Sequence, residues 1–78
     1  MTWEELVEKA KEMGCNVYKD KDICMKTPYS IHRETRFLYF YKNGSVKASY
    51  TEDDCVGVLL LSENRTPEQM LAIMEALR

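Results

Sequence analysis

The chain carries one histidine, His32, and it stands among other reactive types: Tyr29, Ser30, Arg33 and Glu34. A small hydrolase or nuclease could use His32 as a general base, with Ser30 as nucleophile or with Arg33 or Glu34 beside it. Such catalysis needs a nucleophile in reach of the ring and a third group to orient it. Ser30 lies two residues away in a segment without period, which is no recognised arrangement. A solvated polar loop accounts for the same residues.

Metal chemistry has two candidate sets. Cys15, Cys24, Cys55 and His32 are the ligand types of structural zinc. No Cys-x-x-Cys or His-x-x-x-His pair exists, so the spacing fits no compact finger. The three thiols are read as reduced and metal-free, packing as small hydrophobes. Glu52, Asp53 and Asp54 could offer oxygens to Mg²⁺ or Ca²⁺, but three consecutive acids lack the alternate spacing and glycine of a calcium loop. They read as a solvated turn. Gly14, Gly44 and Gly57 assemble no phosphate loop, each being assigned to a cap, a turn or a strand. The expectation is no enzyme, no cofactor and no metal.

The elements that would hold such groups are those of a small domain. Seventy-eight residues, 45% hydrophobic and 31% charged, make an ordinary globular balance and leave room for one domain, residues 1–78. A net charge of −2 excludes the strongly basic signature of an electrostatic nucleic-acid binder. The acidic start Met1-Thr2-Trp3-Glu4-Glu5 is not a secretory signal. The longest apolar run, Cys55 to Leu61, is far short of the ~20 residues that span a bilayer. Three cysteines without dense pairing agree with a reducing interior, so the expected location is cytoplasmic, with no membrane partner. Asn43-Gly44-Ser45 and Asn64-Arg65-Thr66 match the glycosylation pattern, which has meaning only in a secreted chain.

Thr2 and Glu5 form a capping box, and Trp3, Leu6, Val7, Ala10 and Met13 follow at helical spacing until Gly14 stops the helix. Cys15 to Tyr18 and Ile23 to Lys26 read as strands joined by the charged turn 19–22, with Cys24 opposite Val17. Pro28 then interrupts, and 27–35 is irregular. Asn43-Gly44 reads as a two-residue type I′ turn. That turn sets Tyr41 against Val46, Tyr39 against Ala48 and Phe37 against Tyr50, so these six residues form the face that meets the helices. Arg36, Leu38, Phe40, Lys42 and Lys47 are then on the outer face. Val56 to Leu61, apolar on both faces, reads as a strand buried on two sides. Thr66, Pro67 and Gln69 open a second helix whose face is Met70, Leu71, Ile73, Met74 and Leu77, read as core.

The order α-β-β-β-β-β-α predicts an α+β fold of two layers, an antiparallel sheet of four to five strands with both helices on one face. It resembles the double-stranded-RNA-binding domain in topology. That family opens its last helix with a lysine cluster, Lys-Lys-x-Ala-Lys, whereas Thr66-Pro67-Glu68-Gln69-Met70 holds no lysine. The resemblance is one of topology and transfers no function.

The outer face is the feature that a core does not absorb. Both helices are assigned to the other side, leaving Leu38 and Phe40, joined by either Leu59 and Leu61 or Val58 and Leu60, within a rim of Arg36, Lys42 and Lys47 and open to a partner or to partial cover by the 27–35 loop. An apolar patch rimmed by charge marks an interface. The expected function is therefore a small accessory or protein-interaction module, meeting a protein partner or a second copy through Arg36, Leu38, Phe40, Lys42 and Lys47. RNA binding is the alternative reading and a hydrolase using His32 the third. On this register Phe40→Glu disperses a dimer, whereas Phe37→Glu unfolds the chain.

Overall fold

A computed structural model describes residues 1–19, 21–28, 36–50 and 59–78. The elements in chain order are α1 (Trp3–Glu12), β1 (Asn16–Tyr18), β2 (Asp22–Lys26), β3 (Phe37–Tyr41), β4 (Val46–Ser49), β5 (Leu59–Ser62) and α2 (Pro67–Leu77). The strands form one antiparallel sheet in the order β1-β2-β3-β4-β5, a meander in which every strand pairs with its sequence neighbours. The α+β arrangement expected from the sequence is the one observed.

Both helices begin with reciprocal capping. Thr2 Oγ1 accepts from the Glu5 N–H at 3.1 Å while Glu5 Oε1 accepts from the Thr2 N–H at 3.0 Å. Thr66 and Gln69 repeat the exchange at the start of α2, with Pro67 at the first helical position. Gly14 ends α1 at φ +85°, a conformation that any Cβ would strain. The two helices run in the same direction. The Met1 amine pairs with Glu68 at the start of α2, while Lys9, Glu12 and Met13 share a cleft with Leu71, Glu75 and Arg78 near its end.

The core lies between the helices and one face of the sheet. Trp3, Leu6, Val7 and Ala10 from α1 and Met70 and Met74 from α2 pack with Ile23, Met25, Leu38, Phe40, Val46 and Ala48. Leu71, Ile73 and Leu77 pack against this cluster half-buried.

This core corrects the expected register. Phe40 pairs with Val46 and Leu38 with Ala48, one residue away from the pairing a two-residue turn would give. The cause lies in the turn. A type I′ turn needs positive φ at both central residues, yet Gly44 alone is positive here, at +96°. The Tyr41 carbonyl accepts from the Gly44 N–H at 2.9 Å, and the Tyr41 N–H donates to the Ser45 carbonyl at 2.9 Å. The loop therefore has three residues, Lys42 to Gly44, with glycine in the left-handed position. Asn43 stabilises it by accepting the Ser45 N–H at its Oδ1 at 2.9 Å. One extra loop residue exchanges the faces of β3 while β4 keeps its own.

The first hairpin is also one residue out of the expected register, here because its loop is one residue shorter than the turn 19–22. Lys19 at φ +51° and a Lys21 N–H to Tyr18 carbonyl bond close a three-residue loop. Cys24 consequently faces Asn16, and Val17 faces Ile23.

Candidate interaction surface

The expected interface residues do not come together. Leu38 and Phe40 are fully buried in the core. Their assignment to the outer face is therefore overturned by the three-residue loop. Arg36 and Lys42 are exposed but flank opposite ends of β3, roughly 20 Å apart at the ~3.3 Å rise of a strand. Lys47 alone keeps its expected place, half-buried on the face away from the helices. Tyr29, Ser30, His32, Arg33, Glu34, the acids 52–54 and Cys55 lie outside the described residues.

The true outer face follows from the register. Asn16, Cys24, Tyr39, Lys47 and Leu60 form one direct row across all five strands. Its middle is closed, since Cys24 and Tyr39 are each 2% exposed and neighbouring Ser49 is fully buried. Tyr39 stacks on Tyr41 with centroids 6.1 Å apart, as residues two apart on one strand face can. Lys47 Nζ lies 5.0 Å from the Tyr41 ring centroid, within reach of the ring's negative face. Asp22 lies across from Tyr41. Burial pushes its carboxyl above the usual range, and Lys21 and Lys47 partly oppose that push. A cavity of about 290 Å³ opens here, lined by Lys21, Asp22, Tyr41, Lys42 and Asn43. The peptide N–H of Lys42 donates to the Lys21 carbonyl at 3.0 Å, which ties the two hairpin turns together.

Cys15 and Cys24 lie on opposite sides of the sheet and form no disulfide with each other. Cys15 packs against the core, where burial raises its thiol pKa, while Cys24 faces Asn16 on the outer side. Among the described residues no three His, Cys, Asp or Glu side chains come together around a possible metal position.

The sheet's last strand departs most from expectation. Leu59, Leu60 and Leu61 are 39%, 47% and 41% exposed, where a strand buried on two sides was expected. Two facts explain it. The strand has β4 on one side and, among the described residues, no strand on the other. The helix-facing cluster takes its sheet residues from β2, β3 and β4 and none from β5. The pairing also slips: Val46 faces Ser62, but Lys47 faces Leu60, leaving Leu61 as an extra residue in a bulge. Tyr50, just past β4, is also exposed at 46%. The sequence signal for this surface was the unbroken leucine run, which periodicity alone could not assign to an edge.

No family model, curated protein or solved structure matches this chain. Among the described residues no helix is long and apolar enough to cross a membrane.

Proposed function

We propose that this chain is a non-enzymatic interaction module that binds a protein partner through Leu59, Leu60 and Leu61, with Lys47 at their border. The observation that carries this reading is the exposure of three consecutive leucines on an end strand. Water contact at this strand costs roughly 25 cal/mol for each Å² of apolar surface, a cost a partner relieves. Large apolar side chains grouped this way mark interaction sites more often than singly scattered ones. The reading keeps the binding role expected from the sequence and moves it from Leu38 and Phe40 to the neighbouring edge. The single histidine, the lack of paired acids at useful spacing and the lack of a phosphate loop weigh for a binding role over an enzymatic one.

A photoreactive amino acid placed at position 60, and as control at exposed Glu8 on α1, tests this in cells of the native host. Discrete protein adducts from position 60 and none of them from position 8 are expected. Equal adduct patterns at the two positions would show that the leucine strand has no special role.

A further inference from the structure

We propose that the segment bound at the leucine strand is acidic as well as apolar, an extended peptide with leucine-type side chains beside Asp or Glu. This rests on the reading of Leu59–Leu61 as the binding surface.

Lys47 and Leu60 are direct cross-strand neighbours on the outer face. Lys47 in turn lies over Tyr41, and Tyr41 walls the cavity that Lys21 and Lys42 line. From Leu60 the outer face thus continues through Lys47 to the cavity lined by Lys21 and Lys42, where Lys21 and Lys47 act on the Asp22 carboxyl. Neighbouring strands are about 4.8 Å apart, so the path from β5 to the Tyr41 strand is about 10 Å. A segment of about four extended residues covers it at ~3.3 Å per residue. Its apolar side chains would rest on Leu60, the leucine beside Lys47 on the outer face, and its carboxylates would reach Lys47 and then Lys21 or Lys42.

The chain as a whole carries −2, so the attraction is local rather than long-range. That suffices, because exposed charges more than about 10 Å apart are largely screened at 0.1 M salt.

A second copy is the competing occupant, and two observations disfavour it. The bulge at Leu61 interrupts the ladder that edge-to-edge pairing would extend. Three leucines and Tyr50, each less than half exposed, also fall short of the ~800 Å² per partner that a stable dimer buries.

Panning a displayed library of random peptides on the intact chain, with Leu60→Ser and Lys47→Glu as parallel targets, tests the proposal. Circular dichroism first establishes that both variants fold. The expected winners combine Leu, Ile, Phe or Met with Asp or Glu inside a short window. Their affinity should fall about tenfold on Lys47→Glu and also at raised salt, and vanish on Leu60→Ser. Lys47→Gln should fall between wild type and Lys47→Glu.

Apolar winners without an acidic excess, indifferent to Lys47→Glu, would overturn the acidic segment and leave the leucine surface standing. Winners that bind Leu60→Ser equally well, or no winners at all, would overturn both readings. Sedimentation velocity of the chain alone supplies the last outcome. A concentration-dependent dimer that Leu60→Ser abolishes would assign the surface to a second copy and overturn the acidic segment.

Discussion

Two strands of this sheet look alike as sequence and end in opposite surroundings. β3 reads Phe-Leu-Tyr-Phe-Tyr and β5 reads Leu-Leu-Leu-Ser, and neither shows the alternation of apolar and polar residues that marks a half-buried strand. In β3 the three central residues are at most 2% exposed, while in β5 the three leucines are 39–47% exposed. The difference is position. β3 is the middle of five strands: the helices cover Leu38 and Phe40 on one face, and Tyr39 is closed on the other, where Cys24 and Ser49 are buried as well. β5 is an end strand outside the helix-facing cluster. An unbroken apolar run therefore marks a strand that needs cover on both sides, and leaves open whether the chain itself supplies it.

The largest expected effect tests the centre against the edge. Phe40→Glu would place a carboxylate at a fully buried site packed with Ile23, Val46 and both helices. An unpaired buried charge costs several kcal/mol, and losing the ring costs a further ~3–5. A chain of 78 residues holds about 4–12 kcal/mol in reserve. Phe40→Glu is expected to unfold the protein, and Leu60→Ser to shift its stability by no more than about 0.5 kcal/mol. Thermal unfolding by circular dichroism reads both. A folded Phe40→Glu variant together with an unfolded Leu60→Ser variant would reverse the roles of the two strands.

The next effect concerns what sets the faces of β3. At φ +96°, Gly44 occupies the left-handed region, and a Cβ there would meet the Arg65 backbone at 3.2 Å. Its carbonyl also accepts the Arg65 N–H at 2.9 Å, which couples the β3–β4 loop to the approach of α2. Gly44→Ala is expected to cost about 1–2 kcal/mol from backbone strain alone, measured by urea unfolding. Faster hydrogen exchange at the Arg65 amide should accompany it. A neutral substitution would mean that the glycine does not hold the three-residue loop.

That loop also marks where the sequence stops being legible. Thr2 with Glu5 and Thr66 with Gln69 announced both helix starts, because a capping box is complete within four residues. The apolar stripes of both helices and the five strands were legible for the same reason. The Asn43–Gly44 pair was not, since it serves a two-residue or a three-residue loop and the choice shows only in the bonds of Tyr41 with Gly44 and Ser45. That single residue moved Leu38 and Phe40 from expected interface to core. The exposure of Leu59–Leu61 was hidden differently: edge position is a property of strand order, and the local pattern carries no trace of it.

A smaller effect belongs to the outer face beside β3, on the side away from β5. The Asp22 carboxyl is pushed above the ordinary range chiefly by burial, with Lys21 and Lys47 pulling it down. A carboxyl whose pKa is higher in the folded chain than in the unfolded one favours folding when protonated. That contribution is lost as pH rises through the raised value. Asp22→Asn should therefore raise the melting temperature slightly at neutral pH and leave it unchanged in acid, below the ordinary carboxylate range. A variant less stable than wild type at neutral pH would show that the attraction of Lys21 and Lys47 outweighs burial there.

The smallest effect tests whether the exposed far side of the helix layer matters to either strand. The Met1 amine donates to Glu68 Oε1, joining the chain's start to the first turn of α2. The amine's pKa is raised, first by the hydrogen bond to Glu68 and then by its charge, and the Glu68 pKa is lowered by the same bond. The pair's contribution is thus present when the amine is protonated and the carboxylate ionised. It is lost as pH falls through the lowered Glu68 value, and again as pH rises through the raised amine value. Both groups are solvent-screened, and exposed ion pairs contribute little to stability. Glu68→Gln should leave the melting temperature at neutral pH nearly unchanged and remove what little salt dependence the pair gives it. A loss comparable to that of Gly44→Ala would mean that this contact fixes the parallel setting of α1 and α2. The burial of β3 would then depend on the chain's first residue as much as on its central loop.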